Sequence, residues 1–306
     1  MDIKKYESKF DSLLEIYFNE IKLEEHYGYF ETINQIKFLA DKKNLFLIVE
    51  NNKIKNIFYE DKDKIQIRFL FEYPKEEYTI LNNYDIVCVS FLPLSRVDIS
   101  KPRFFSTDII LNNKNVVELN GATFKNLRTK INKGKNHNIN ILNLNTQTIK
   151  KEEILEFLNR WVTEATNIRN KKLANINRDS WWINYYFTNE NTNLHGIVIK
   201  DNITNSIIGF CLYELSLDKR YAISLSSKVI TKYKGLSEYL YFLKCKQQFE
   251  EFGVTFQNIG NIPTKSIRTY KDKYNGTNQR SCFSILKTKE EKEVNFWVLD
   301  HIRPDK

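Results

Sequence analysis

The chain has 306 residues, 42% of them hydrophobic and 14% aromatic, which is ample material for one large core or two smaller ones and excludes a chain disordered as a whole. Nine glycines and five prolines exclude collagen-like and low-complexity architectures. Lysine plus arginine outnumber aspartate plus glutamate 47 to 38, a formal charge of +9; this suits a polyanionic partner, but in so lysine-rich a chain it identifies none.

The first six residues lack the apolar run of a signal peptide, and a helix is predicted over 6–21 from Phe10, Leu13, Leu14, Ile16, Tyr17 and Ile21. Strands follow at 45–49, 54–59 and 65–71, separated by polar turns at 51–53 and 60–63, and a buried strand at 86–89. The longest apolar run, 86–94, is interrupted by Ser90 and Pro93 and is far short of the ~20 residues a membrane span needs. A cytoplasmic protein is expected. An amphipathic helix over 152–166 carries Ile154, Leu155, Leu158, Trp161 and Val162 on its apolar face. Trp181, Trp182, Tyr185 and Tyr186 then cluster, either to pack a seam or to stack on a nucleobase.

Three strands are predicted at 196–200, 207–215 and 221–229, then a helix over 236–252 closed by Gly253 in a positive-φ position. A strand at 254–259, a helix over 263–274 opened by Pro263, and a strand at 281–286 complete the chain. Four separated cysteines (Cys88, Cys211, Cys245, Cys282) form no CxxC pair, and four histidines (His26, His137, His195, His301) show no HxxxH spacing, so no metal is expected. There is no GxGxxG, and strand–strand–strand–helix–strand–helix–strand resembles the layout of a GNAT-type acyltransferase domain.

Three segments carry candidate chemistry. In 229–237, Lys232-x-x-Gly235-x-Ser237 is similar to the GNAT loop that holds a pyrophosphate on backbone N–H groups at a helix N-terminus; an ordinary strand-to-helix turn reads equally well. In 119–133, helical spacing puts Phe124, Leu127 and Ile131 on one face and Lys125, Arg128 and Asn132 on another. Residues 121–135 hold five basic side chains and no acid, suited to phosphate or simply to a solvated face. In 258–274, Asn258 and Gly260 end a strand, and Arg268 and Lys271 lie one turn apart on the following helix, where both can reach one anion.

In this order the last two segments, with Trp161 between them and Asp108-Ile109-Ile110-Leu111 before them, resemble the tandem-GNAT catalytic domain of phosphatidylglycerol lysyltransferases and their DUF2156-like relatives, over roughly 104–287. The resemblance implies an α+β fold of two GNAT-like halves with mixed sheets flanked by helices, divided as 1–118, a basic helix and connector at 119–150, and 151–306. It implies transfer of an amino acid from aminoacyl-tRNA to an amine or hydroxyl of a phospholipid headgroup, a peptide or a small molecule. Lys125, Arg128, Asn132, Asn258, Gly260, Arg268 and Lys271, with the Lys232, Gly235 and Ser237 loop, would bind the donor. No cofactor beyond the donor substrate is called for. Glu214 and Glu238 are the acidic side chains nearest in sequence to serve as general base, with Tyr213 as a proton relay and a backbone N–H within 224–227 as oxyanion donor.

Two departures narrow this. Ile259 stands between Asn258 and Gly260 where the family carries acidic residues, and Thr129 replaces its Asn. The membrane-embedded region of the lipid-modifying members is also missing, which favours a soluble acceptor while an anionic membrane surface stays open. An acyl-CoA N-acyltransferase and a non-catalytic RNA- or membrane-surface-binding protein are the alternatives.

Overall fold

The computed structural model describes residues 2–20, 32–61, 66–69, 86–93, 103–169, 176–189, 193–261 and 265–288. In chain order the first elements are β1 (Asp2–Lys5), α1 (Asp11–Glu20), α2 (Ile33–Lys42), β2 (Asn44–Glu50), β3 (Lys53–Asp61), β4 (Gln66–Phe69) and β5 (Ile86–Pro93). Next come β6 (Arg103–Asn112), α3 (Asn113–Glu118), α4 (Lys125–Lys135), β7 (Ile139–Asn143), α5 (Lys151–Arg169) and α6 (Ile176–Thr188). The last are β8 (Leu194–Asp201), β9 (Ile207–Leu215), β10 (Tyr221–Val229), α7 (Leu236–Lys246), β11 (Phe256–Asn261), α8 (Lys265–Asp272) and β12 (Thr277–Thr288). They form two compact units: Met1–Ile109 with Gly260–Thr269 and Asn278–Lys306, and Ile110–Ile259 with Tyr270–Thr277.

In the first unit the strand order is β1-β2-β3-β4-β5-β12. The first four strands pair antiparallel, β4 and β5 run parallel, and β12 returns antiparallel to β5. Asn51 and Asn52, at φ +50° and +58°, turn the β2–β3 hairpin, because asparagine tolerates the left-handed region such a tight turn requires. Leu14 of α1, Ile36 of α2, Leu47 of β2 and Ile57 of β3 are wholly buried together in one core. Helix α2 is not announced by the periodicity of 33–42. Its buried face includes Asn34 and Gln35, which blur the apolar period, and the Thr32 hydroxyl caps it by accepting the Gln35 N–H at 3.3 Å.

The second unit repeats the plan with the order β7-β8-β9-β10-β11 and β6 beside β11. Strands β7 to β10 pair antiparallel and β10 with β11 parallel, as β1 to β5 do, and each set has two helices between its first and second strands. These are the two GNAT-like halves expected. Every residue of β9 is buried, since α7 lies on one face of the sheet and α5 and α6 on the other. Strands β9 and β10 match the predicted 207–215 and 221–229 end to end, and Gly253 has φ +70° as expected. The predicted helix 236–252 divides into α7 and a π-helical run, Gln247–Glu251. Pro263 lies outside the described residues.

One departure from regular pairing prepares a site. Among the described residues, strand β11 follows β10 over Tyr221–Ile223, opposite Phe256–Asn258, and β10 then continues to Val229 paired with β9 alone. Its register shifts between Ser224 and Ser226, a β-bulge at the point where the sheet opens.

Candidate functional site

The opening in the second sheet is bordered by the loop from β10 to α7. Gly235, at φ +82°, is the residue before the first turn of α7, and a Cβ there would collide with the Lys130 carbonyl of α4. Gly134 of α4 is the reciprocal contact: its Cβ would come within 2.6 Å of the Gly235 carbonyl and of Tyr239 Cβ. Two glycines thus let the backbones of α4 and α7 touch, and α4 covers the start of α7.

That start already has an anion. The Glu238 carboxylate accepts a hydrogen bond from Lys273 Nζ at 3.1 Å and lies 3.4 Å from Lys130 Nζ. Burial works to raise its pKa, but the Lys273 hydrogen bond, its own backbone N–H and the charges of Lys273 and Lys130 outweigh it and hold the carboxyl below its ordinary range. Ser237 turns to α8, its hydroxyl 2.6 Å from that of Tyr270, which is 3.1 Å from that of Tyr274. Lys232 is exposed, with its ammonium 5.0 Å above the Tyr233 ring.

On α4 the expected faces are present: Phe124, Leu127 and Ile131 are buried, Lys125 and Asn132 exposed. Arg128 is engaged locally, donating through one terminal nitrogen to the carbonyls of Leu119 and, at 2.9 Å, Gly121. Leu119 and Gly121 both have positive φ, so the guanidinium clamps an irregular connection whose carbonyls have left helical pairing.

The third segment separates its two cations. Lys271 is buried and donates to the Ile259 carbonyl of β11 at 2.6 Å, whereas Arg268 is exposed. Asn258 is wholly buried and Gly260 has φ +78°. Glu214 and Tyr213 are buried on opposite faces of β9, by strand alternation. The Tyr213 hydroxyl donates to Gln247 Oε1 at 2.7 Å, and burial pushes its phenol far above the ordinary range.

The sequence reading missed Lys244. It is 0% exposed on α7, donates to Ser224 Oγ at 2.9 Å and sits 3.9 Å above the Tyr241 ring. A signal existed: Leu236, Leu240 and Lys244 recur every fourth residue, placing the lysine in the apolar stripe. On the α5–α6 side, Lys228 pairs with Asp179 at 3.3 Å and lies 5.0 Å from the Trp161 ring. Trp182 is core, while Trp181 and Tyr185 stack on each other at 5.0 Å, half-buried.

No protein-family model and no curated protein matches this chain in sequence. Solved structures match its fold. A protein of unknown function from Bacteroides thetaiotaomicron superposes with a TM-score of 0.73 at 12% identity, over 94% of this chain and 100% of its own. The DUF2156 C-terminal domain of a protein assigned as lysylphosphatidylglycerol synthetase, from Agrobacterium fabrum, gives 0.61 at 10%, over 90% and 92%. A tandem GNAT protein from the clavulanic acid biosynthesis pathway gives 0.52 at 8%, over 95% and 99%. The fold is therefore that of the tandem GNAT and DUF2156 structures, as the resemblance implied. Among the described residues no helix is long and apolar enough to cross a membrane.

Proposed function

We propose that this chain is a GNAT-fold transferase that moves an amino acid from aminoacyl-tRNA to an amine or hydroxyl acceptor. The observation that carries this reading is the covered start of α7. A CoA pyrophosphate would need open N–H groups there and a glycine free for close approach. Here Gly235 lies against the Lys130 carbonyl, and Glu238 supplies the negative charge that the helix dipole favours. Its carboxylate already takes its own backbone N–H in that first turn. The opening beside β10 stays suited to an acyl group, so a donor carried by something other than CoA fits best.

The resemblance to the phosphatidylglycerol lysyltransferase group names aminoacyl-tRNA as that donor, and a structure with the same fold is assigned as a lysylphosphatidylglycerol synthetase. Exposed Lys125, Lys133 and Lys135 of α4 and Lys232 beside it are phosphate contacts in this reading. The ester is activated, so the protein has mainly to align the partners and stabilise the oxyanion. Glu238, ion-paired twice, is a weak base and serves to tie α4 to α7. Tyr213 likewise holds the π-helical run through Gln247.

The test is thermal stabilisation of the protein by acetyl-CoA, CoA and a total charged-tRNA pool, each at fixed salt, followed by transfer of labelled amino acid from tRNA to phosphatidylglycerol vesicles, triglycine or ethanolamine. Stabilisation by tRNA that fades with salt, together with transfer, is expected. Stabilisation by CoA alone would make this an acyl-CoA enzyme, and tRNA binding without transfer a binding protein.

A further inference from the structure

Lys244 has no counter-charge among the described residues. Among the described residues no carboxylate lies within ion-pair distance of its ammonium, which meets only the Tyr241 face and the Ser224 hydroxyl. The two thiols that feel its charge, Cys211 and Cys245, are pushed up to about 11 and about 12 by burial and are uncharged at neutral pH. An isolated buried ammonium is unfavourable enough that apolar residues normally replace it unless it has work to do.

Its one hydrogen bond has a fixed direction. An ammonium only donates, so Ser224 Oγ accepts, and the serine's own proton must point elsewhere. With a positive charge behind its oxygen that proton is a strengthened donor. Ser224 is half-buried, follows the last β10 residue paired with β11, and immediately precedes the bulge. Ser227 is opposite Cys211 as Ser224 is opposite Tyr213, so both serines face the α7 side. The Ser227 hydroxyl is buried and has no hydrogen-bond partner among the described residues.

We propose that Ser224 is the oxyanion donor of the transfer, with Lys244 as the positioning residue that polarises it and Ser227 as a second donor. This rests on the aminoacyl-transfer reading. In that reaction the acceptor's nitrogen lone pair forms a bond to the ester carbonyl carbon, and the carbonyl π pair moves onto oxygen, where Ser224 donates to it. The pair then returns, the carbon–oxygen bond to the ribose breaks, and the proton lost by the acceptor leaves on the ribose hydroxyl. Because the charge exists only on the way between the two esters or amides, the donor raises kcat and leaves donor affinity alone.

The experiment is single-turnover transfer from the charged-tRNA pool to the same three acceptors by the full chain and by S224A, S224T, K244M and the S224A/K244M double variant, with tRNA affinity and melting temperature measured for each. S224A and K244M are expected to slow transfer about 100-fold with tRNA affinity unchanged. S224T, which keeps the hydroxyl, is expected to retain most of the rate. The double variant is expected to be no slower than the slower single one, and K244M to melt at or above the parent temperature. S224A within threefold of the parent rate, or losses that multiply in the double variant, would overturn the proposal while leaving the transferase reading intact. No transfer by the parent chain overturns both. S224A alone decides the matter if K244M does not fold.

Discussion

Gly134 and Gly235 show how single residues admit two helices to contact. A methyl at Gly134 meets backbone and Cβ atoms, neither of which can swing aside, so G134A is expected to lower stability by about 1–3 kcal/mol. G235A adds a left-handed backbone to the collision and should cost more, by about 1–2 kcal/mol; urea unfolding of both variants reads the difference. Arg128 poses a sharper question, since its position in a basic helix suggested phosphate. Its two carbonyl partners predict that R128A loses about 1–2 kcal/mol of stability while the salt dependence of tRNA binding is unchanged. A reduced salt slope with unaltered stability would return it to the phosphate contacts. The side chain's type was legible in the sequence but its target was not, because both acceptors exist only once Leu119 and Gly121 take positive φ.

At the scale of elements, strands β9 and β10 were readable because a nine-residue, largely apolar run and an alternation of Tyr221, Ile223 and Leu225, each too short for a helix of ordinary length, are bounded by polar turns. The bulge and the parting of β10 from β11 were not readable, being properties of how β10 pairs with its two neighbours, one of them more than thirty residues away. The same holds for the candidate site: Lys232, Gly235 and Ser237 do stand at the start of α7, but the covering by α4 and the Lys130–Glu238–Lys273 cluster depend on tertiary contact. A pH effect belongs here too, where β8 meets the end of the α7 region. The His195 ring lies 4.3 Å from that of Phe252 and 5.8 Å from that of Tyr213, and burial first, then the Lys219 charge, lowers its pKa. The unfolded chain therefore takes up this proton near pH 6.5 while the folded chain resists until lower pH. Stability should fall as pH drops from about 6.5 through the depressed value, and H195F should flatten that part of a melting-temperature profile.

For the molecule as a whole, the net charge of +9 becomes informative once α4 is seen to expose Lys125, Lys133 and Lys135. On the proposed aminoacyl-tRNA reading, replacing any one of them by glutamine should weaken binding equally for all tRNAs and reduce the salt slope by about one, read from affinities at several salt concentrations. Each unit is completed by a strand that does not follow its neighbours in sequence: β12 joins β5 in the first, and β6 lies beside β11 in the second. A chain stopped at Gly276 would lack β12, and β5 would lose that neighbour. Proteolysis of such a chain is expected to cut within the first ninety residues at protease concentrations the full chain survives. On the ribosome every molecule passes through this truncated state. At about 5–20 residues per second, β5 emerges roughly 10–40 s before β12 is made, so the first-made unit is the last to close, and during that wait a β-strand edge needs shelter from neighbouring nascent chains.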